Sequence, residues 1–145
     1  MARKLMPFYN VEQAVGQGGA NVYDDVLLVQ YMLSQVGKVP PHPLPPPATP
    51  LQPNGVPTPA LKEWILWFQK STKQVGESII VDGRIDPSKA QDGGFYPPAS
   101  GRTMFFLNAS FRRRFRAAHD VMEADPLCPM ALRVKFAAAN EHFDA

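Results

Sequence analysis

The chain has one cysteine, Cys128, so it has no intrachain disulfide and no multi-cysteine metal site, and its fold rests on a packed core. Histidine is almost as scarce. His42, His119 and His142 fall in separate segments without His-x-His or His-Glu-x-x-His spacing, which leaves no recognisable zinc pattern and gives an expectation of no metal and no cofactor. No apolar run approaches the roughly 18 residues that a membrane span requires. The basic start Met1-Ala-Arg-Lys lacks the apolar stretch of a cleaved export signal. Charge of one sign is also missing: 15 Lys and Arg against 13 Asp and Glu give a formal +2, too little to imply a nucleic-acid or membrane-surface protein.

What is present is apolar residue content, 45% of 145 residues, enough for one domain with a sizeable core, together with 16 prolines that exclude a wholly helical bundle. Val26, Val29, Leu33 and Val36 form one stripe, which predicts a first helix over 22–36, capped by Asn21 and closed by Gly37. Ten prolines between Pro40 and Pro59 then impose an irregular or polyproline surface loop. Thr58-Pro59 opens a second helix, as a preferred cap followed by proline in the first turn, with Leu61, Ile65 and Phe68 on its inner face and Trp64 and Trp67 widening it. Ser78–Pro87 reads as an extended piece with an Asp82-Gly83 turn, and 88–101 as loop. Met104, Leu107, Phe111, Phe115, Ala118 and Met122 predict one long helix over 102–123. Leu132, Phe136, Ala139 and Phe143 predict a last one over 130–143, folded back antiparallel on it. No internal repeat of useful length is evident.

Four of these segments, in order, resemble the peptidoglycan-binding-like domain family of bacterial and phage cell-wall proteins. Asp25-Val26-Leu-Leu-Val29-Gln30-Tyr-Met-Leu33 is similar to that family's first-helix motif, and Thr58-Pro-Ala60-Leu61 with Phe68-Gln69 is similar to its second. Val81-Asp82-Gly83-Arg84-Ile85-Asp86-Pro87 fits its turn, and Thr103-Met-Phe-Phe-Leu107-Asn108 its third helix. The resemblance covers about residues 14–108, interrupted by the proline-rich insertion 40–57 and an expanded gap at 88–101, and leaves 109–145 as a helical extension packed on the same core. It implies a mainly α fold: a compact three-helix core with long Pro/Gly-rich loops and an added C-terminal helical hairpin. Val26, Val29, Leu33, Leu61, Ile65, Phe68, Ile80, Ile85 and Leu107 supply that core, at ~1.5–3 kcal/mol for each large side chain buried.

The function implied is binding or targeting of peptidoglycan or another cell-wall polymer, without catalysis, on a phage particle or contractile secretion apparatus. Such a protein is made in the cytoplasm and delivered to the periplasm or wall by a non-classical route. Asp82, Gly83, Arg84 and Asp86 are the candidate ligand residues, with Trp67, Gln69 and Gln30 as aromatic and amide partners. For the tryptophans, core packing competes with sugar stacking, more strongly at Trp64 than at Trp67. Catalysis has little to work with: Cys128 has no acid or base beside it, and Asp82 and Asp86 flank Arg84 as in a charge-paired turn. The basic run Arg112, Arg113, Arg114 and Arg116 reads either as a solvated face over the Phe111–Phe115 stripe or as a grip for anionic groups of a wall polymer or protein partner. An adaptor that keeps the fold and docks a protein through its basic and last helices is the alternative.

Overall fold

Leu27, Leu28, Tyr31 and Met32 lie outside the Val26–Val29–Leu33–Val36 stripe, yet all eight side chains are buried. The computed structural model, which describes residues 7–88 and 101–144 with side chains as far as 139, explains this through the position of helix α1, Tyr23–Lys38. Helix α2 (Pro59–Gln74), helix α3 (Arg102–Arg114) and helix α5 (Met130–Asp144) all pack on α1. A helix covered on several sides has no polar face to spare.

The chain is mainly helical, with one short antiparallel pair: β1 (Val15–Gly16) and β2 (Arg84–Ile85) face each other in the register Val15–Ile85 and Gly16–Arg84. A single apolar cluster runs from Tyr9 to Leu132 and includes Met122 and Cys128 from the C-terminal third.

Several local expectations change. Ile80 is exposed, and Ile79 takes its place inside. Gly37 lies within α1 and does not close it; a Cβ there would come within 2.6 Å of the Trp64 ring, so glycine allows α1 and α2 to approach closely. Asn21 adopts a left-handed conformation and bonds the Gly16 N–H and the Gly16 and Gly19 carbonyls, holding the glycine loop and not capping the helix. Thr58 precedes Pro59 at the start of α2 as expected, without a side-chain capping bond.

The long helix expected over 102–123 is three pieces: α3, then α4 (Arg116–Asp120), then a 3-10 turn at Met122–Ala124. Nothing in the sequence marks the first break, at Phe115. At the second, Tyr9 intervenes: its hydroxyl donates to the His119 carbonyl at 2.6 Å and accepts from the Met122 N–H at 3.3 Å. The chain bends, and α5 packs on the 3-10 turn and on α1, so the expected antiparallel hairpin is not formed. Phe111 is fully buried, whereas Phe115 and Phe136 are half-buried against the cluster. Phe143, His142 and the loop expected at 88–101 lie outside the described side chains or residues, apart from the ends of that loop.

Large-to-small changes should therefore grade by position. Phe111→Ala costs ~3–5 kcal/mol in urea denaturation, and Phe115→Ala clearly less; equal costs would mean the break at Phe115 does not exist in solution.

Candidate functional site

Gln69 is fully buried on α2, and its amide is surrounded by the turn that follows. Its Oε1 accepts from the N–H groups of Asp82 (3.1 Å) and Gly83 (2.9 Å), while Nε2 donates to Asp82 Oδ1 (3.2 Å), the Arg84 carbonyl (2.9 Å) and Thr103 Oγ1 (3.1 Å). The turn completes itself through the Arg84 N–H donating to Asp82 Oδ1 at 3.0 Å. Gly83 sits at φ 73°, a conformation that suits glycine.

Gln30, on α1, repeats this arrangement. Its Oε1 accepts from the N–H groups of Asn54 (3.0 Å) and Gly55 (2.8 Å), Nε2 donates to Asn54 Oδ1 (3.2 Å) and the Val56 carbonyl (2.9 Å), and the Val56 N–H donates to Asn54 Oδ1 (2.9 Å). Gly55 has φ 77°. Each unit is a helical glutamine cradling an Asx-Gly turn further along the chain, so one hydrogen-bond arrangement occurs twice. Gln30 reaches 24 residues ahead and Gln69 only 13, the proline-rich stretch lying within the first span, and this offset hides the recurrence in the sequence.

Both glutamines are committed to the frame. So is Trp67, buried with its indole N–H on the Leu44 carbonyl (2.9 Å), while Trp64 donates to the Thr49 carbonyl (2.7 Å). These three expected ligand residues, Gln30, Gln69 and Trp67, are therefore reassigned from ligand contact to loop support.

The turn residues differ. Gly83 is buried with its carbonyl accepting from the Gln17 N–H at 3.0 Å, but Asp82 is exposed, and Arg84 and Asp86 form a partly exposed ion pair at 3.0 Å. Beside them, Gly16–Gly18, Thr58 and Lys62 border a shallow groove of about 310 Å³. The Lys62 stem lies against Gly83, and the Arg84 guanidinium stands over Gly18.

The arginine run is also divided. Arg114 is a clamp: Nε donates to the Val39 carbonyl (2.6 Å), Nη2 to the Pro41 carbonyl (2.6 Å) and Nη1 to Ser110 Oγ (2.5 Å). Arg112 (3.3 Å) and Arg116 (3.7 Å) both engage Asp120. Burial works against ionisation of Asp120, but hydrogen bonds from His119 and Arg112 outweigh it and hold the carboxyl below its usual range. Arg113 is exposed. A uniform four-arginine grip is thus reduced to one free member.

Two buried polar residues of the helix motifs, Asp25 and Asn108, act as brackets. Asp25 accepts from the Glu12 and Gln13 N–H groups, each at 3.0 Å. Asn108 pairs with both backbone groups of Tyr9, at 2.9 and 2.8 Å. Their signal was an acid and an amide inside helices on otherwise apolar faces.

Compared with family models, curated proteins and solved structures, the chain matches none. Among the described residues no group of three or more His, Cys, Asp or Glu is placed to hold a metal ion, and no helix is long and apolar enough to cross a membrane.

Gln30→Leu and Gln69→Leu should each lower unfolding free energy by ~1–3 kcal/mol, since each strands buried turn N–H groups. A negligible effect of either in urea melts would show that the cradles are not needed. Cys128 is buried with its thiol pushed up to about 12, mainly by burial and secondarily by Asp125, so it should react with Ellman's reagent only as fast as the protein unfolds.

Proposed function

We propose that the chain is a non-catalytic peptidoglycan-binding module that targets or holds the cell-wall polymer, built as a variant of the peptidoglycan-binding-like domain. The carrying observation is that the resembling segments join through direct hydrogen bonds. Gln69 ties the second-helix motif to the 82–84 turn and to Thr103 at the start of the third, leaving Asp82, Arg84 and Asp86 at the surface. The stem peptides of peptidoglycan carry carboxylates and amides. Arg84 and Lys62, beside the groove, can take carboxylates, and Asp82 and Asp86 can accept from amide or amine N–H groups. Delivery as part of a phage particle or contractile apparatus belongs to the same reading.

Asp82 also closes its own turn, so the discriminating variant spares it. Wild-type protein should sediment with purified, protein-free peptidoglycan, and Arg84→Ala/Asp86→Ala should sediment less while melting like the wild type. Unchanged sedimentation of the double variant would remove this site; no sedimentation of the wild type would remove the function. The non-catalytic part is checked on the same mixtures, which should release no soluble muropeptides.

The adaptor reading has one observation in its favour. Leu127, Met130 and Val134 are 61–65% exposed around the start of α5, an apolar surface beside the C-terminal turn.

A further inference from the structure

The proline-rich insertion creates a second concavity that the peptidoglycan reading does not use. Held by Arg114 at the Val39 and Pro41 carbonyls, with Trp67 fastening Leu44 just beyond, the 39–43 segment forms one wall of a groove of about 830 Å³, whose other walls come from the ends of α1 and α2 and from α3. That volume is in the range of a small-molecule site.

Val36, Pro43, Phe68, Val75 and Phe106 make the walls mainly apolar. The polar groups are few. Arg113 and Arg114 both line the groove, and neither has a carboxylate partner among the described residues: Arg114 is engaged by carbonyls, Ser110 and His42, and Arg113 by no ion pair. Glu77, the one acid on the lining, is paired with neither. Ser71 lines the groove as well. It is 94% buried, judged from its 6% exposure, and its Oγ has no hydrogen-bond partner among the described residues.

An apolar trough with two guanidinium groups lacking a counter-anion and an unused buried hydroxyl has the chemistry of a site for an amphipathic anion. We propose that this groove binds a small apolar carboxylic acid, its aromatic or branched body against Phe68 and Phe106 and its carboxylate shared between the Arg113 guanidinium and the Ser71 hydroxyl. His42 is held edge-on to Trp67 at 5.2 Å, and burial first and Arg114 second lower its pKa, which works against a further positive charge beside the arginines. The site is independent of the peptidoglycan reading.

The test is titration of the full chain, ¹⁵N-labelled, with 4-phenylbutyrate and with the uncharged 4-phenylbutanamide. Amide shifts should cluster at Ser71, Thr72, Phe106 and Ala109. The acid should bind about fivefold or more tightly than the amide. Arg113→Gln, at an exposed position that should not disturb folding, should erase that preference and leave the amide unchanged, and Ser71→Ala should weaken the acid. Equal affinity of acid and amide, a preference that survives Arg113→Gln, shifts confined to other surfaces, or no shifts up to about 10 mM would each overturn the proposal.

Discussion

The structure depends on two buried primary amides. A chain with 16 prolines and long irregular segments has many backbone groups that no helix or sheet can satisfy, and a turn packed against a core without partners would lose ~1–3 kcal/mol for each stranded group. Gln30 and Gln69 solve this twice in the same way. The amide oxygen takes two successive N–H groups, and the amide nitrogen takes the turn's Asx oxygen and the carbonyl two residues after the Asx. Glutamine suits the task because one side chain is donor and acceptor together. Asp25 and Asn108 do the same for the N-terminal segment, so this segment and the 54–56 and 82–84 turns are all held by polar side chains reaching out of helices.

The insertion shows how far this logic extends. Proline fixes φ but removes N–H donors, so residues 40–57 offer mainly carbonyls for attachment. Beyond the Gln30 cradle at 54–56, the carbonyls of Pro41, Leu44 and Thr49 are taken by donor-only groups: the guanidinium of Arg114 and the indoles of Trp67 and Trp64. Three long side chains from α2 and α3 thereby convert a surface loop into a fixed wall.

Periodicity made the helices legible where one face is apolar: α2 and α5 are close to expectation, and the stripe on α1 is correct as far as it goes. It underestimated α1, because a helix buried on several sides differs from an amphipathic one only in neighbours that a single stripe ignores. The break at Phe115 left no trace, since no glycine or proline marks it. The second break depends on Tyr9, more than a hundred residues away. At the candidate site, the motif pattern points to the Asp82–Asp86 turn, whose Asp82 is exposed, but it offers glutamine, tryptophan and arginine as ligand groups because those side chains recognise sugars and anions. Buried turns and carbonyl-rich loops need the same donors and acceptors, and only burial separates the two uses. The recurrence of the glutamine cradle is hidden for a simpler reason: the two glutamines stand at different distances, 24 and 13 residues, from the turns they hold.

That distinction also separates fold from ligand in this molecule. Among the polar letters of the resembling motifs Thr58 is half-buried and Asp82 exposed, whereas Asp25, Gln30, Gln69, Thr103 and Asn108 are buried and bonded within the protein. They specify the turns and leave the outer surface free to vary. What varies lies at two ends of one element. Lys62 borders the shallow groove near the start of α2, whereas Phe68, Ser71 and Val75 line the larger one near its end. At ~1.5 Å per residue, Lys62 and Ser71 are about 13 Å apart along the helix axis. One surface is inherited from the Asp82-Gly83 turn and the other is added by the proline segment. Gln69 lies on the stretch of α2 between them, so the cradle of the Asp82-Gly83 turn is built from the buried side of the helix and from neither surface.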